Sequence, residues 1–140
     1  QHSGIFLYSM INTRQNNATQ LYLTHYGLKS SYTYYTEQNK NIPGNTGAFM
    51  LISKELFEKV GMFPEHYTEC FEDVELNLKL VSIGKENIFD PNAVCYHLES
   101  QTRNLDSEKD ARQQKDYEIL SEFIKSNLQK IKRTMKVYQF

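Results

Sequence analysis

The segment from Phe71 to Gly84 constrains this chain more than any other. It carries Val74, Leu76, Leu78, Leu80, Val81 and Ile83. At about 3.6 residues per turn these side chains fall on more than one face of a helix. The pattern therefore predicts a buried helix. It starts near Phe71–Asp73 and ends at Ile83, with Gly84 as its stop. Burying such a helix needs a core, and 140 residues are enough, since a chain of that size hides roughly two thirds of its unfolded surface.

The rest of the chain is read around that helix. Gly4–Tyr8 is a short apolar run that predicts a buried strand. The chain opens without Met and already inside that run, so Gln1 is expected to be an edge within a longer polypeptide. Residues 12–45 are poorly patterned and read as a long loop, with one short helix or strand around Leu21–Tyr26. Tyr32, Tyr34 and Tyr35 lie in it, equally suited to stacking on sugars or bases and to packing inward. Pro43-Gly44-Asn45 is a turn signal. Thr46–Ile52 reads as a second buried strand. Ser53 is placed to cap a short helix over Lys54–Val60, with Leu56, Phe57 and Val60 inward and Gly61 at its C-terminal end. Asn87–Asp90 and Ala93–His97 read as two strands split by a turn at Asp90-Pro91-Asn92. Ser107 with Asp110 resembles a capping box. A long helix follows to about Arg133, with Ile119, Leu120, Phe123, Ile124, Leu128 and Ile131 as its stripe.

Composition narrows the function classes. Hydrophobic residues make up 39% and charged residues 24%, with no Trp and 10 Tyr, a soluble globular balance that excludes fibrous and low-complexity classes. No apolar run reaches the ~20 residues of a membrane helix, and no signal peptide is visible. Net charge is -1, so no global field favours nucleic acid. Residues 1–100 hold 7 Lys+Arg against 11 Asp+Glu, and residues 101–140 hold 9 against 6. The tail is thus mildly basic. Cys70 and Cys95 form no disulfide framework and no metal pair, and are expected as reduced, buried thiols of a cytoplasmic protein.

Few residues suggest chemistry. Glu72 and Asp73 open the buried helix, with Glu75 behind them. Carboxylates there have a plain structural use, capping N–H groups and opposing the helix dipole. They also suit a general base held at the edge of a sheet, and three acids so close are expected to raise one another's pKa. His97 ends the last expected strand, where an imidazole could bind a divalent metal or donate to a phosphate. It could equally hold a structural hydrogen bond. Arg103 follows in a polar segment and could clamp a phosphate or stay solvated. His2, His25 and His66 are weaker candidates. No HExxH, CxxC or Walker-type loop occurs.

Taken together, three blocks resemble family 2 glycosyltransferases. Asn45-Thr46-Gly47-Ala48 running through Val60-Gly61-Met62-Phe63-Pro64-Glu65 is similar to the family's "TGA … VGGFDE" block. Phe71-Glu72-Asp73-Val74-Glu75-Leu76 is similar to its "ED-x-D-L" motif. Asp90-Pro91-Asn92-Ala93 through His97, Ser100 and Arg103 is similar to its "P-x-A-x-x-x-H-x-x-S" ending. Gln1–Ile5 also resembles the short strand that follows the DXD region in some members. The resemblance covers residues 1–105 and implies an α/β fold. That fold is a partial GT-A unit, a Rossmann-like mixed sheet with flanking helices, of which this would be the C-terminal, acceptor-side half. Residues 106–140 would be a helical extension.

The resemblance implies an inverting transfer of a sugar from a nucleotide-sugar donor to a glycan or lipid-linked acceptor, in cell-surface polysaccharide synthesis. Asp73 would be the base and Glu72 would orient the acceptor or share that role. Gly47 and Ala48 would line the sugar pocket, and Arg103 would sit on a loop closing over the donor. His97 would help hold a divalent Mg or Mn ion. Three departures stand out. Glu75 replaces the family's second Asp, Met62 and Pro64 alter "GGFDE", and no DXD triplet is present. The fragment alone is therefore expected to be inactive. Its half-sheet would leave an edge and an apolar face open to self-association. The basic C-terminal helix offers peripheral contact with the inner face of the plasma membrane. The alternative is a non-catalytic carbohydrate-binding or protein-interaction module, using the tyrosine-rich segment and that helix.

Overall fold

The computed structural model describes residues 5–12, 18–25, 40–95, 107–134 and 138–139. Two small sheets and three helices form from them. Strand β1 (Ile5–Asn12) pairs antiparallel with β2 (Ala18–His25), Ile5 opposite His25 and Asn12 opposite Ala18. Both are rich in the branched and aromatic residues that favour pleated structure. A two-residue strand near the C-terminus, Tyr138–Gln139, runs parallel to β1 on its other edge. In the second sheet β3 (Lys40–Ile42) pairs antiparallel with β4 (Asn87–Phe89). The tyrosines 32, 34 and 35 lie outside the described residues.

Helix α1 (Lys54–Lys59) follows its local signals. The Ser53 hydroxyl accepts the Leu56 N–H at 3.3 Å. At the other end Gly61 takes a φ of 85°, and the Gly61 and Met62 N–H groups return to the Glu58 and Phe57 carbonyls. That is a Schellman ending, which needs a left-handed residue and so favours glycine. Leu56, Phe57 and Val60 are only half-buried. Helix α2 (Glu72–Ser82) ends the same way. Gly84 has a φ of 80°, and the Gly84 and Lys85 N–H groups bond the Val81 and Leu80 carbonyls.

Helix α2 is buried around most of its circumference, as its composition requires. Val74, Leu78 and Val81 form one stripe, which packs on Leu120, Ile124 and Ile131 of helix α3 (Lys109–Thr134). Tyr67, Phe71 and Phe123 close the edges of this core. Helix α3 therefore supplies half of the buried residues of this cluster. Another side of α2 meets β4 and the loop at residues 43–47.

Two expected strands do not form among the described residues. Thr46–Ile52 is a turn followed by irregular backbone, with Phe49 53% and Leu51 100% exposed. The reason lies at its start, where the Asn45 and Gly47 N–H groups bond side chains of α2 instead of a neighbouring strand. Residues 93–95 are likewise not a strand. Asp90 turns the chain there, accepting the Asn92 N–H at 2.9 Å through its side chain and the Ala93 N–H at 3.2 Å through its carbonyl. Residues 96 and 97 lie outside the described set. Both cysteines are free, but Cys95 is exposed rather than buried.

Candidate functional site

The first turn of α2 is held by an unusual approach. Phe71 precedes it with a φ of 82° and gives no side-chain cap. A non-glycine residue pays conformational strain in that region and stays there only when its surroundings fix it. Here they do. Phe71 packs on the core, its ring 6.2 Å from Tyr117. Just before it, the N–H groups of Thr68, Glu69 and Cys70 and the Thr68 hydroxyl all donate to one carboxylate, Asp116 of α3, at 2.7–3.2 Å. Asp116 is fully buried. Burial pushes its carboxyl up, but the backbone bonds from Glu69, Thr68 and Cys70 outweigh that and hold it below the usual carboxylate range. Arg112, one turn earlier in α3, pairs with Glu69 at 2.5 Å.

Against this turn lies the loop from Pro43 to Ala48. The Gly47 N–H donates to Oδ2 of Asp73 at 2.7 Å. A Cβ on Gly47 would stand 3.1 Å from the Asp73 Cβ, so glycine allows the loop its closest approach. Among the described residues no hydrogen bond reaches Oδ1 of Asp73. Asp73 and Gly47, 26 residues apart, are thus brought into contact. Glu72 precedes Asp73 in the same turn and is half-buried. Ala48 is exposed beside Gly47, its N–H 3.4 Å from the Thr46 hydroxyl. His97 and Arg103 lie outside the described residues.

Glu75 departs from the sequence expectation. It is buried, and its carboxylate takes a hydrogen bond from Tyr67 at 2.8 Å, an ion pair from Lys79 at 2.9 Å and a contact from His66 at 3.1 Å. Burial alone would push the carboxyl up, yet the Lys79 and Tyr67 bonds, the Lys79 charge and the His66 bond together hold it below its ordinary value. Mutual repulsion among the three acids is therefore not what sets Glu75. The Tyr67 hydroxyl moves the other way, raised by burial and by its bond to Glu75. Glu75 serves as an anchor for the segment before α2.

Three asparagines hold the loop: Asn45, which the sequence places in a turn, and Asn77 and Asn87, to which the sequence patterns give no role at the site. Asn77, one turn beyond Asp73, is buried and pairs with the Asn45 backbone in both directions. Asn87 donates to the Pro43 and Asn77 carbonyls, and Asn45 to the Ile88 carbonyl. The available signal was a polar residue inside an apolar helix, four positions from an acid. Asp116 gave the same kind of signal, four residues ahead of Leu120 in the stripe of α3. Among the described residues no three His, Cys, Asp or Glu side chains gather closely enough to hold a metal, and no helix is long and apolar enough to cross a membrane.

Comparison with known proteins gives partial likenesses. The chain is 30% identical over 102 residues to the uncharacterized protein y4gI of Sinorhizobium fredii, covering 71% of this chain and 11% of that protein. It is 33% identical over 73 residues to the O-antigen biosynthesis protein RfbC of Myxococcus xanthus, covering 52% of this chain and 6% of that protein. The chain thus spans about a tenth or less of the curated relatives it matches. No family model and no solved structure matches it.

Proposed function

We propose that this chain is the acceptor-side part of an inverting, GT-A-type glycosyltransferase that builds surface polysaccharide, with Asp73 as its general base. The observation that supports it most is the contact between Gly47 and Asp73. It joins the "TGA" and "ED" blocks, the two parts of the resemblance that such an enzyme uses on the acceptor side. The partial likeness to an O-antigen biosynthesis protein points the same way.

In this reading an acceptor hydroxyl hydrogen-bonds to Oδ1 of Asp73, the oxygen that Gly47 does not hold. As its oxygen attacks the anomeric carbon of the donor sugar, its proton passes to the carboxylate. The bond from that carbon to the nucleoside diphosphate breaks, and the electron pair leaves with the diphosphate. The Gly47 N–H fixes Oδ2, so the base does not rotate away, and such positioning supplies much of the rate. Glu72 orients the acceptor. A divalent ion would neutralise the departing diphosphate, and by resemblance His97 and Arg103 stand on that side.

The test is replacement of Asp73 by Asn in the full-length parent protein. The amide preserves size and the Gly47 bond but removes the basic oxygen pair. Turnover should fall by ~10²-fold or more, and cells carrying only this variant should lose the long surface polysaccharide seen on gels. A normal polysaccharide ladder would remove Asp73 from the role of base.

A further inference from the structure

We infer that Asn77 is a positioning residue, a buried buckle that seats the loop 44–47 on α2 and so sets the Gly47 amide against Asp73. Its catalytic meaning rests on the reading of Asp73 as the base. The seat itself is a matter of geometry.

The Asn77 side chain is 1% exposed, so it cannot meet a substrate. Both ends of its amide are used. Oδ1 accepts the Asn45 N–H at 3.1 Å, while Nδ2 donates to the Asn45 carbonyl at 2.9 Å and to the Asp73 carbonyl at 2.7 Å. Only a side chain that both donates and accepts can do this. The pairing holds the Asn45 peptide as a neighbouring strand would, and Gly47 is two residues further along. The same amide touches the turn that carries Asp73, so loop and base are referenced to one group.

Gly44 completes the arrangement. A Cβ there would lie 2.7 Å from the Asn77 Cβ, a separation that forces something to shift. Glycine is required by proximity and not by a left-handed backbone. Asn87 adds a brace, donating to the Pro43 carbonyl at 2.9 Å and the Asn77 carbonyl at 3.2 Å.

Amide NMR of the chain tests this directly. The Gly47 N–H, bound to a carboxylate, should resonate downfield. In Asn77→Leu and in Gly44→Ala that resonance should move upfield while amides of the α2–α3 core stay in place. Gly44→Ala deletes no polar group, so it tests the seat even if Asn77→Leu does not fold. In the unaltered protein the Asn45 and Gly47 amides should show a common protection against exchange once each amide's intrinsic rate is divided out, since one opening exposes both. A folded variant in which the Gly47 resonance is unmoved, or unrelated protection of the two amides, would overturn the seat.

The polysaccharide assay separates the two ideas. If Gly47 responds as expected but Asp73→Asn leaves the ladder normal, the base assignment falls and the seat stands. If both hold, Gly44→Ala should lower transfer by about 10²-fold, the loss that small misplacement of a catalytic group produces.

Discussion

Asp116 shows how much one buried carboxylate can organise. It accepts bonds from three consecutive backbone N–H groups and a hydroxyl. Asn at this position keeps one acceptor and adds donors that have nothing to bind. Leaving buried N–H groups unmet costs about 1–3 kcal/mol, and Asp116→Asn should destabilise the protein by that amount at neutral pH. The pH dependence has a definite sign. Because its pKa is lowered on folding, Asp116 contributes stability that is fully present above its unfolded value of 3.8 and lost as pH falls through the folded one. Glu75 acts in the same sense below its unfolded value of 4.5. Denaturant titrations from pH 7 down to pH 2 should therefore show the gap between wild type and Asp116→Asn closing in acid. A constant gap would mean that the charge is not what binds residues 68–70.

At the scale of elements, the helices were legible and the loops were not. Ser53, Gly61 and Gly84 are local signals, read within a few residues, and each does at the helix end what its chemistry suggests. The apolar residues of α2 likewise announced a buried helix. Thr46–Ile52 suits a strand by its mostly apolar character, but the N–H groups of Gly47 and of Asn45 just before it are taken elsewhere. What took them were Asp73 and Asn77, 26 and 32 residues away. Such long-range pairings leave no periodic trace, so Asp73 and Gly47 share a site in the sequence only through the resemblance, and the roles of Asn77 and Asn87 have no counterpart there. The helix endings give a clean check. Gly84→Ala forces a side chain into a left-handed backbone with open space around it, so the cost is conformational, about 1–2 kcal/mol. Thermal unfolding should show the loss, and a neutral result would mean that the α2 terminus unwinds without consequence.

For the whole molecule, the surface is as informative as the core. Phe49, Leu51, Met62, Phe63 and Val94 are all more than two fifths exposed, in loops close to α1 and β4 in the chain. Exposed apolar side chains in this number favour association. If the proposed acceptor-side role holds, the donor-side half would be their natural cover. The isolated chain should self-associate with rising concentration in sedimentation velocity and bind ANS. A monomer at all concentrations with no ANS signal would mean that these side chains need no cover. Core and site also share their supports. The helix that buries Val74, Leu78 and Val81 is the one that presents Asp73, and the helix packed against it supplies Asp116.

That shared support has a consequence for biosynthesis. Residues 68–70 leave the ribosome before the carboxylate that gathers their N–H groups, which comes up to 48 positions later. Until α3 emerges, the turn leading into α2 is tied only through Tyr67 and His66 to Glu75, and Phe71 lacks the Tyr117 ring and the Asp116-bound turn that hold its left-handed backbone. The candidate base is thus translated early and fixed late, so a nascent chain halted before Asp116 would carry Asp73 without the frame that aims it.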